Sequence, residues 1–198
     1  MDALLTLSLS AIDRVTSTAE DAEETAQIAL ARKGDQQAFR WLLIRYRERT
    51  VRLTARVLRS DGDAEDAAQE AFIRAFKNIH QFKGECRFYT WLYQIAVRVC
   101  MDRLRSPRWK REEPLILADE TGIEAADISN RILIESLLDS MSPNMRAPLV
   151  LREIEGLEYE EIARIMQIPV GTVRSRLNTA RSQFRKLWTS AMEETKNV

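Results

Sequence analysis

The chain has 198 residues, 30% of them charged, with 30 basic side chains balancing 30 acidic ones. That length suits one medium domain or two small ones with ordinary cores. A single histidine, His80, and two cysteines, Cys86 and Cys100, exclude a zinc cluster or a disulfide scaffold and fit thiols in a reducing cytosol.

Gly and Pro are sparse. Apolar residues recur at helical rather than alternating spacing, so the expected fold class is all-α: two small helical domains joined by a flexible acidic linker. The zero net charge is a sum of opposed blocks, and such segregation bears on partners more than on fold.

Residues 1–24 form an acidic extension, disordered or loosely helical, carrying Asp2, Asp13, Glu20, Asp21, Glu23 and Glu24 against Arg14 alone. Its opening apolar residues lack a basic flank and are interrupted by Ser and Thr, which fits neither a signal peptide nor a membrane span.

Residues 25–105 read as the first helical domain. Gly34 and Asp35 end one helix and start the next, and Phe39, Leu42, Leu43 and Tyr46 make an i, i+3, i+4, i+7 stripe. Asp63 is expected to cap a helix that buries Ala64, Ala68, Ala71, Phe72, Ala75 and Phe76. The opposite face of that helix offers Asp66, Gln69, Glu70 and Arg74, which solvation alone would also explain.

A loop around Gly84 then leads into FYTWLYQIAVRVCMDRLR, from Phe88 to Arg105. Phe88, Tyr89, Trp91 and Tyr93 can offer flat faces to unstacked bases, with Arg98, Arg103 and Arg105 tracking phosphates, the combination that single-strand binders use. A buried aromatic cluster ahead of a solvated basic helix end is the competing reading.

Residues 106–129 break the periodicity with Pro107, Pro114 and Gly122 and accumulate Glu112, Glu113, Asp119, Glu120, Glu124 and Asp127. This is the linker, long enough to let two domains move independently or be spaced along an extended partner.

Residues 130–190 form the second domain. Ser142 and Pro143 start a helix that Pro148 interrupts, and Gly156 caps its end. A short amphipathic helix from Tyr159, a turn at Ile168 to Gly171 and a longer helix follow at helix-turn-helix spacing. Val173, Leu177, Ala180, Phe184 and Trp188 are its buried stripe, and no acid occurs between Glu161 and Glu193. Thr172, Ser175, Arg176 and Thr179 share a face flanked by Arg174, Asn178, Arg181 and Arg185. Such a helix can enter the major groove, where Arg174 and Arg176 can pair bidentately with guanine. A plain hairpin with a solvated basic face is the alternative.

In this order, DAEDAAQEAFIRAFKNIHQFKGECRFYTWLYQIAVRVCMDRLR resembles domain two, and GLEYEEIARIMQIPVGTVRSRLNTARSQFRK domain four, of the extracytoplasmic-function group of sigma-70 factors of bacterial RNA polymerase. The resemblance implies a non-catalytic subunit that gives core polymerase its promoter choice and helps to open DNA in a stress or envelope response. Asp66, Gln69 and Glu70 then match the face that docks on the coiled coil of the polymerase's largest subunit. Phe82, Lys83 and the loop from Gly84 through Arg87 to Phe88 match the part that captures a flipped base of the minus-ten element. Tyr89, Trp91 and Tyr93 support or stack on the melted strand, with Arg74, Lys77 and Arg98 as phosphate contacts. Capture of an extruded base offsets an unpairing cost of a few kcal/mol. Thr172, Arg174, Ser175, Arg176, Asn178, Thr179 and Arg181 match the reader of the minus-thirty-five element.

Partners implied by the resemblance are core polymerase, promoter DNA and an anti-sigma factor, commonly membrane-anchored in this group; no metal or cofactor is implied, and the location expected is cytoplasmic. The acidic linker would thread the active-site cleft of the polymerase. Departures lie at Glu158, where Ser or Thr caps are common, at Asn178 and Thr179, which make the sequence preference non-transferable, and at Cys86 in the base-capturing loop. An ordinary activator or repressor would explain the second basic surface but leave the aromatic-arginine helix and the Asp66, Gln69, Glu70 face without purpose. An enzyme finds no phosphate loop and no His-carboxylate constellation.

Overall fold

The computed structural model describes residues 20–106 and 133–196, so the expectations for residues 1–19 and nearly all of the linker lie outside the described residues. The order is α1 (20–32), α2 (Gln36–Leu58), α3 (Asp61–Asn78), a 3-10 turn (Ile79–Gln81), α4 (Phe88–Arg105), α5 (133–139), α6 (Pro143–Leu149) running into a π turn (Val150–Ile154), α7 (Tyr159–Met166) and α8 (Val170–Lys196). No strand occurs among the described residues.

Helix α1 begins at residue 20, so residues 20–24, placed in the extension from sequence, are helical and contact α2. They are held by side chains that composition does not reveal: Tyr46 donates to Glu24 at 2.6 Å, and Arg45 pairs with Glu20 at 3.1 Å. Gly34, at φ +94°, makes the left-handed turn out of α1, which an L side chain resists. Asp35 then caps α2 by accepting from the Gln37 and Ala38 N–H groups at 2.8 and 3.0 Å.

The cap of α3 is Ser60, not Asp63. Ser60 Oγ donates to Asp63 Oδ2 at 2.7 Å and accepts from the Asp63 N–H at 3.4 Å, so Asp63 takes the third helical position and holds the cap hydroxyl in place. Ala64, Ala68, Ala71, Phe72 and Ala75 are buried as expected, but Phe76 is 42% exposed, edge-on to Phe39 at 5.0 Å.

In the second domain Ser142 and Pro143 start α6. Pro148 removes one backbone donor, and from Val150 the ladder widens into the π turn. Glu158 caps α7, and Glu161 Oε2 accepts the Glu158 N–H at 3.1 Å. An acidic box thus replaces the Ser or Thr cap, with both carboxylates at the positive end of the helix.

The two halves share a core. Leu53, Val57, Tyr93, Ala96 and Cys100 from α2 and α4 pack with Leu138, Ala147, Val150, Ile162 and Ile165 from the second half. Each such large apolar side chain contributes about 1.5–3 kcal/mol relative to exposure. Helix α7 packs on α4, and α6 on α2 and α4, as well as on α8.

Candidate nucleic-acid interface

Helix α4 carries the aromatic cluster, and its neighbours divide that cluster into inner and outer parts. Phe88 is 2% exposed and Tyr93 fully buried, so neither offers a ring face to solvent. Phe88 lies 5.4 Å from Tyr46 and 5.8 Å from Phe82, in the middle of the first domain's core. Burial and the nearby Glu155 carboxylate push the Tyr93 phenol well above its ordinary range, because ionising it would put a second negative charge there. Trp91 and Tyr89 are half-buried.

Trp91 leans on Phe82 at 5.4 Å and on Phe88 at 5.7 Å. Phe82 and Trp91 line an open cavity together with Gln81, Lys83, Glu85, Cys86, Thr90 and Gln94, while Phe88 stands behind them. The lining combines two aromatic rings with amide, hydroxyl, carboxylate and ammonium groups. Burial pushes the Cys86 thiol up, with the Arg164 charge opposing. The sequence reading placed Phe82, Lys83 and Arg87 in the loop and Trp91 in the helix that follows it, and Lys83 and Arg87 are exposed there.

The same cavity is also lined by Arg164 and Gln167 of the second domain, which sequence reasoning did not associate with it. Glu161 Oε1 accepts from Tyr89 Oη at 3.0 Å and from Thr90 Oγ1 at 3.1 Å. Partial burial works against the charge on Glu161, but bonds from the Glu158 N–H, Tyr89 and Thr90 outweigh it and hold the carboxyl below the usual range. Glu155 Oε2 accepts from Tyr93 Oη at 2.9 Å and pairs with Arg49 at 3.4 Å. No sequence signal distinguishes these two acids from the solvated ones beside them.

On α3, Asp66 and Gln69 are exposed, whereas Glu70 is tied down. It pairs with Arg74 one turn on, and with Arg103 of α4 at 3.0 Å. Those two bonds outweigh desolvation and hold the Glu70 carboxyl below the usual range. Arg103, read from sequence as tracking phosphates, also donates to the Asp63 carbonyl at 3.0 Å and so braces α4 on α3. Arg74 lies within 4.0 Å of Asp102, while Lys77 and Arg98 are exposed. Beside Gln69 runs an apolar groove lined by Phe39, Leu43, Val51, Phe72, Ile73 and Phe76. Sequence reading missed it by assigning Phe76 to the core.

Helix α8 behaves as its periodicity requires. Val173, Leu177 and Ala180 are fully buried; Phe184 and Trp188 are half-buried, stacked at 6.3 Å. Arg174, Ser175, Asn178 and Thr179 are exposed and Thr172 and Arg176 half-exposed on the outward faces. Arg181 differs, since it pairs with Glu153 at 2.7 Å and donates to Tyr159 Oη at 3.3 Å, fixing α8 to the π turn. Thr172 and Val173 donate to the Pro169 carbonyl at 2.8 and 3.1 Å, which sets the first turn of α8.

Among the described residues, no group of His, Cys, Asp and Glu could hold a metal ion, and no helix is long and apolar enough to cross a membrane.

The family description sigma-70 region 2 matches residues 42–110, and sigma-70, region 4, matches residues 131–184. The ECF RNA polymerase sigma-E factor of Escherichia coli (strain K12) is 39% identical over 174 residues, covering 79% of this chain and 91% of that protein. Its counterpart from Haemophilus influenzae is 35% identical over 181 residues, covering 84% and 95%. Among solved structures, the sigma factor RpoE in complex with the anti-sigma factor NepR from Bartonella quintana has a similar fold, with a TM-score of 0.67 at 19% identity, covering 76% of this chain and 96% of that one.

Proposed function

The chain belongs to the extracytoplasmic-function group of the sigma-70 family, non-catalytic subunits that bind core RNA polymerase and direct promoter recognition for transcription initiation, and from that premise we propose how its surfaces divide the work. The α3 face of Asp66 and Gln69, continued by the Phe72, Ile73, Phe76 groove, docks on core polymerase. Exposed acid and amide groups beside an apolar groove support this reading, because they suit an amphipathic helix of basic character. Glu70, engaged with Arg74 and Arg103, shapes that face from within.

The cavity bounded by Phe82, Lys83, Cys86, Trp91 and Gln94 receives a flipped base of the minus-ten element. Lys77, Lys83, Arg87 and Arg98 meet phosphates, with Arg74 at the edge; Phe88 and Tyr93 support the rings from behind. The observation that carries this reading is the Trp91 ring standing against Phe82 at the wall of an open cavity with a lysine on its rim. Helix α8 reads the minus-thirty-five element, Arg174 and Arg176 at base edges and Thr172, Ser175, Asn178 and Thr179 around them; Arg181 orients the helix from its pair with Glu153.

Control by an anti-sigma partner is part of the proposal. A structure of similar fold is that of a sigma factor bound to one. The protein then works in the cytoplasm, at the inner face of the membrane where that partner is anchored there.

The test is transcription by core polymerase with the protein on a genomic fragment library, followed by permanganate footprinting of one promoter found. Trp91→Ala is expected to keep closed-complex binding and to lose melting. Normal melting by that variant overturns the minus-ten assignment.

A further inference from the structure

We propose that the apolar groove between α5, the π turn and α8 is filled by residues 4–12 of the same chain, which reach it along an arginine face of α2. None of the surfaces assigned above uses this groove, so the inference goes beyond that division of work and does not depend on it.

The groove needs an occupant. It is lined by Ile134 and Leu138 of α5, Ile154 of the π turn, and Phe184 and Trp188 of α8, around a cavity of about 440 Å³. Ile134 and Ile154 are 36% and 41% exposed, and the stacked Phe184 and Trp188 are only half-buried. Apolar side chains of three elements left open together mark an interaction surface. Its rim is basic: Arg185 is exposed and enters no ion pair among the described residues, whereas Arg181 is engaged by Glu153.

Helix α2 identifies the occupant. Arg45, Arg49, Arg52, Arg56 and Arg59 recur every three or four positions and share one face. Arg45 pairs with Glu20 and Glu24 of α1. Arg49 pairs with Glu155, and Arg56 and Arg59 pair with Glu135 and Asp139 of α5 at 3.3 and 2.9 Å. Arg52, in the middle of this row, is answered only by Glu48 of its own helix. Helix α1 turns back on α2 at Gly34, so the chain preceding residue 20 heads along this face toward α5. Asp13 precedes Glu20 by the same seven positions that separate Arg45 from Arg52, which brings it level with Arg52.

The reach is sufficient. Between Arg45 and Arg59 a helix advances about 21 Å, and the chain from Ile12 to Glu20 spans up to about 26–29 Å. Leu4, Leu5, Leu7, Leu9 and Ile12 lie beyond, with no charged residue among them. Glu135, the partner of Arg56, adjoins Ile134 at the edge of the groove, so the arginine row ends where these leucines are needed. A second copy of the chain would fill the groove and leave Arg52 as it is.

The consequence is competition. A short tether sets an effective concentration of about 1 mM, so a segment that binds as a free peptide at about 0.1 mM fills the groove about ten parts to one. Any other amphipathic helix that uses the groove has to displace it, and its apparent affinity falls by about the same factor.

The test uses full-length chains and a fluorescein-labelled peptide of residues 1–19, followed by anisotropy. The Leu5→Ser/Leu9→Ser/Ile12→Ser chain is expected to bind the peptide about tenfold more tightly than wild type, because its own segment no longer competes. Adding Ile154→Glu, at a side chain already 41% exposed, should lower that affinity at least about tenfold. Equal affinity of wild type and the serine variant, or no binding by either, overturns the proposal.

A second measurement identifies the occupant directly. With p-benzoylphenylalanine in place of Leu9, irradiation is expected to give adducts of monomer mass on Ile154, Phe184 or Trp188. Adducts of dimer mass would assign the groove to a second copy and overturn the proposal. Adducts elsewhere in the chain, or none, would leave the groove to a partner protein and overturn it equally.

Discussion

Helices α4 and α8 carry the same kind of sequence signal, basic residues set around a periodic apolar stripe, and the fold treats them oppositely. The outward face of α8 stays outward: Val173, Leu177 and Ala180 go in, while Arg174, Ser175, Asn178 and Thr179 are exposed. Helix α4 is covered twice, once by α2 and α3 and again by α6 and α7, so Tyr93 is fully buried and Tyr89 is bound by Glu161. Periodicity reports which face a helix buries against its own domain. It does not report how many walls the remaining faces will meet.

The change expected to have the largest effect attacks the wall that α8 supports. Leu177 is fully buried in the core shared by both halves, so Leu177→Ala should cost about 2–5 kcal/mol in urea unfolding. If the two halves are one cooperative unit, Tyr93 should lose its cover in the same transition. Tyrosine fluorescence and circular dichroism giving separate midpoints would break the comparison, by making the covering of α4 independent of the packing of α8.

Next comes Tyr93→Phe. It keeps the ring and removes the hydroxyl that donates to Glu155, a carboxylate whose side chain is 7% exposed and which retains Arg49. The expected loss is about 1–3 kcal/mol, since a buried acceptor forfeits a donor. Tyr89→Phe should cost less because that hydroxyl is nearer solvent and Glu161 keeps Thr90 and the Glu158 N–H. Equal losses would mean that the two acids are equally covered, contrary to the structure.

These contacts also mark what could be read from the chain. The helix boundaries around Gly34 and Asp35, the Pro143 start and the α8 stripe were legible because each rests on a local rule of capping or spacing. The Ser60 cap was misread because Ser and Asp are both favoured cap residues, and only the backbone tells which of positions 60 and 63 is the cap. Glu155, Glu161 and Arg146 were not legible as special. Their partners lie 62, 72 and 89 positions away in sequence, and nothing in a helix period encodes such a pairing. The candidate site was legible in its residue types and only partly in its exposure, because Phe88 and Tyr93 had equal claims to core and surface.

A smaller effect follows acidification. The folded-state values of Glu161 and Glu70 lie below the ordinary 4.5, so their contribution is fully present above that pH and is lost as pH falls through the lowered values. Stability measured from pH 6 down to pH 3 should decline, and Glu161→Gln should flatten part of the decline. An unchanged slope in that variant would remove Glu161 from the list of acids that hold α7 against α4.

The smallest effect on stability is expected at Arg174, and it sharpens the contrast most. The side chain is exposed on the outward face of α8 and enters no ion pair among the described residues, so Arg174→Ala should shift the urea midpoint by no more than about 0.5 kcal/mol. A bidentate arginine contact to guanine is worth about 1–3 kcal/mol of discrimination. The same substitution should therefore change which upstream elements are selected from the fragment library while leaving the fold intact. The covered surface allows no such separation, because Tyr93 and Thr90 hold the two halves together through Glu155 and Glu161, and Thr90 also lines the cavity proposed for the strand. A large loss of stability in Arg174→Ala would place α8 under tertiary cover too, and the two helices would then differ in degree only.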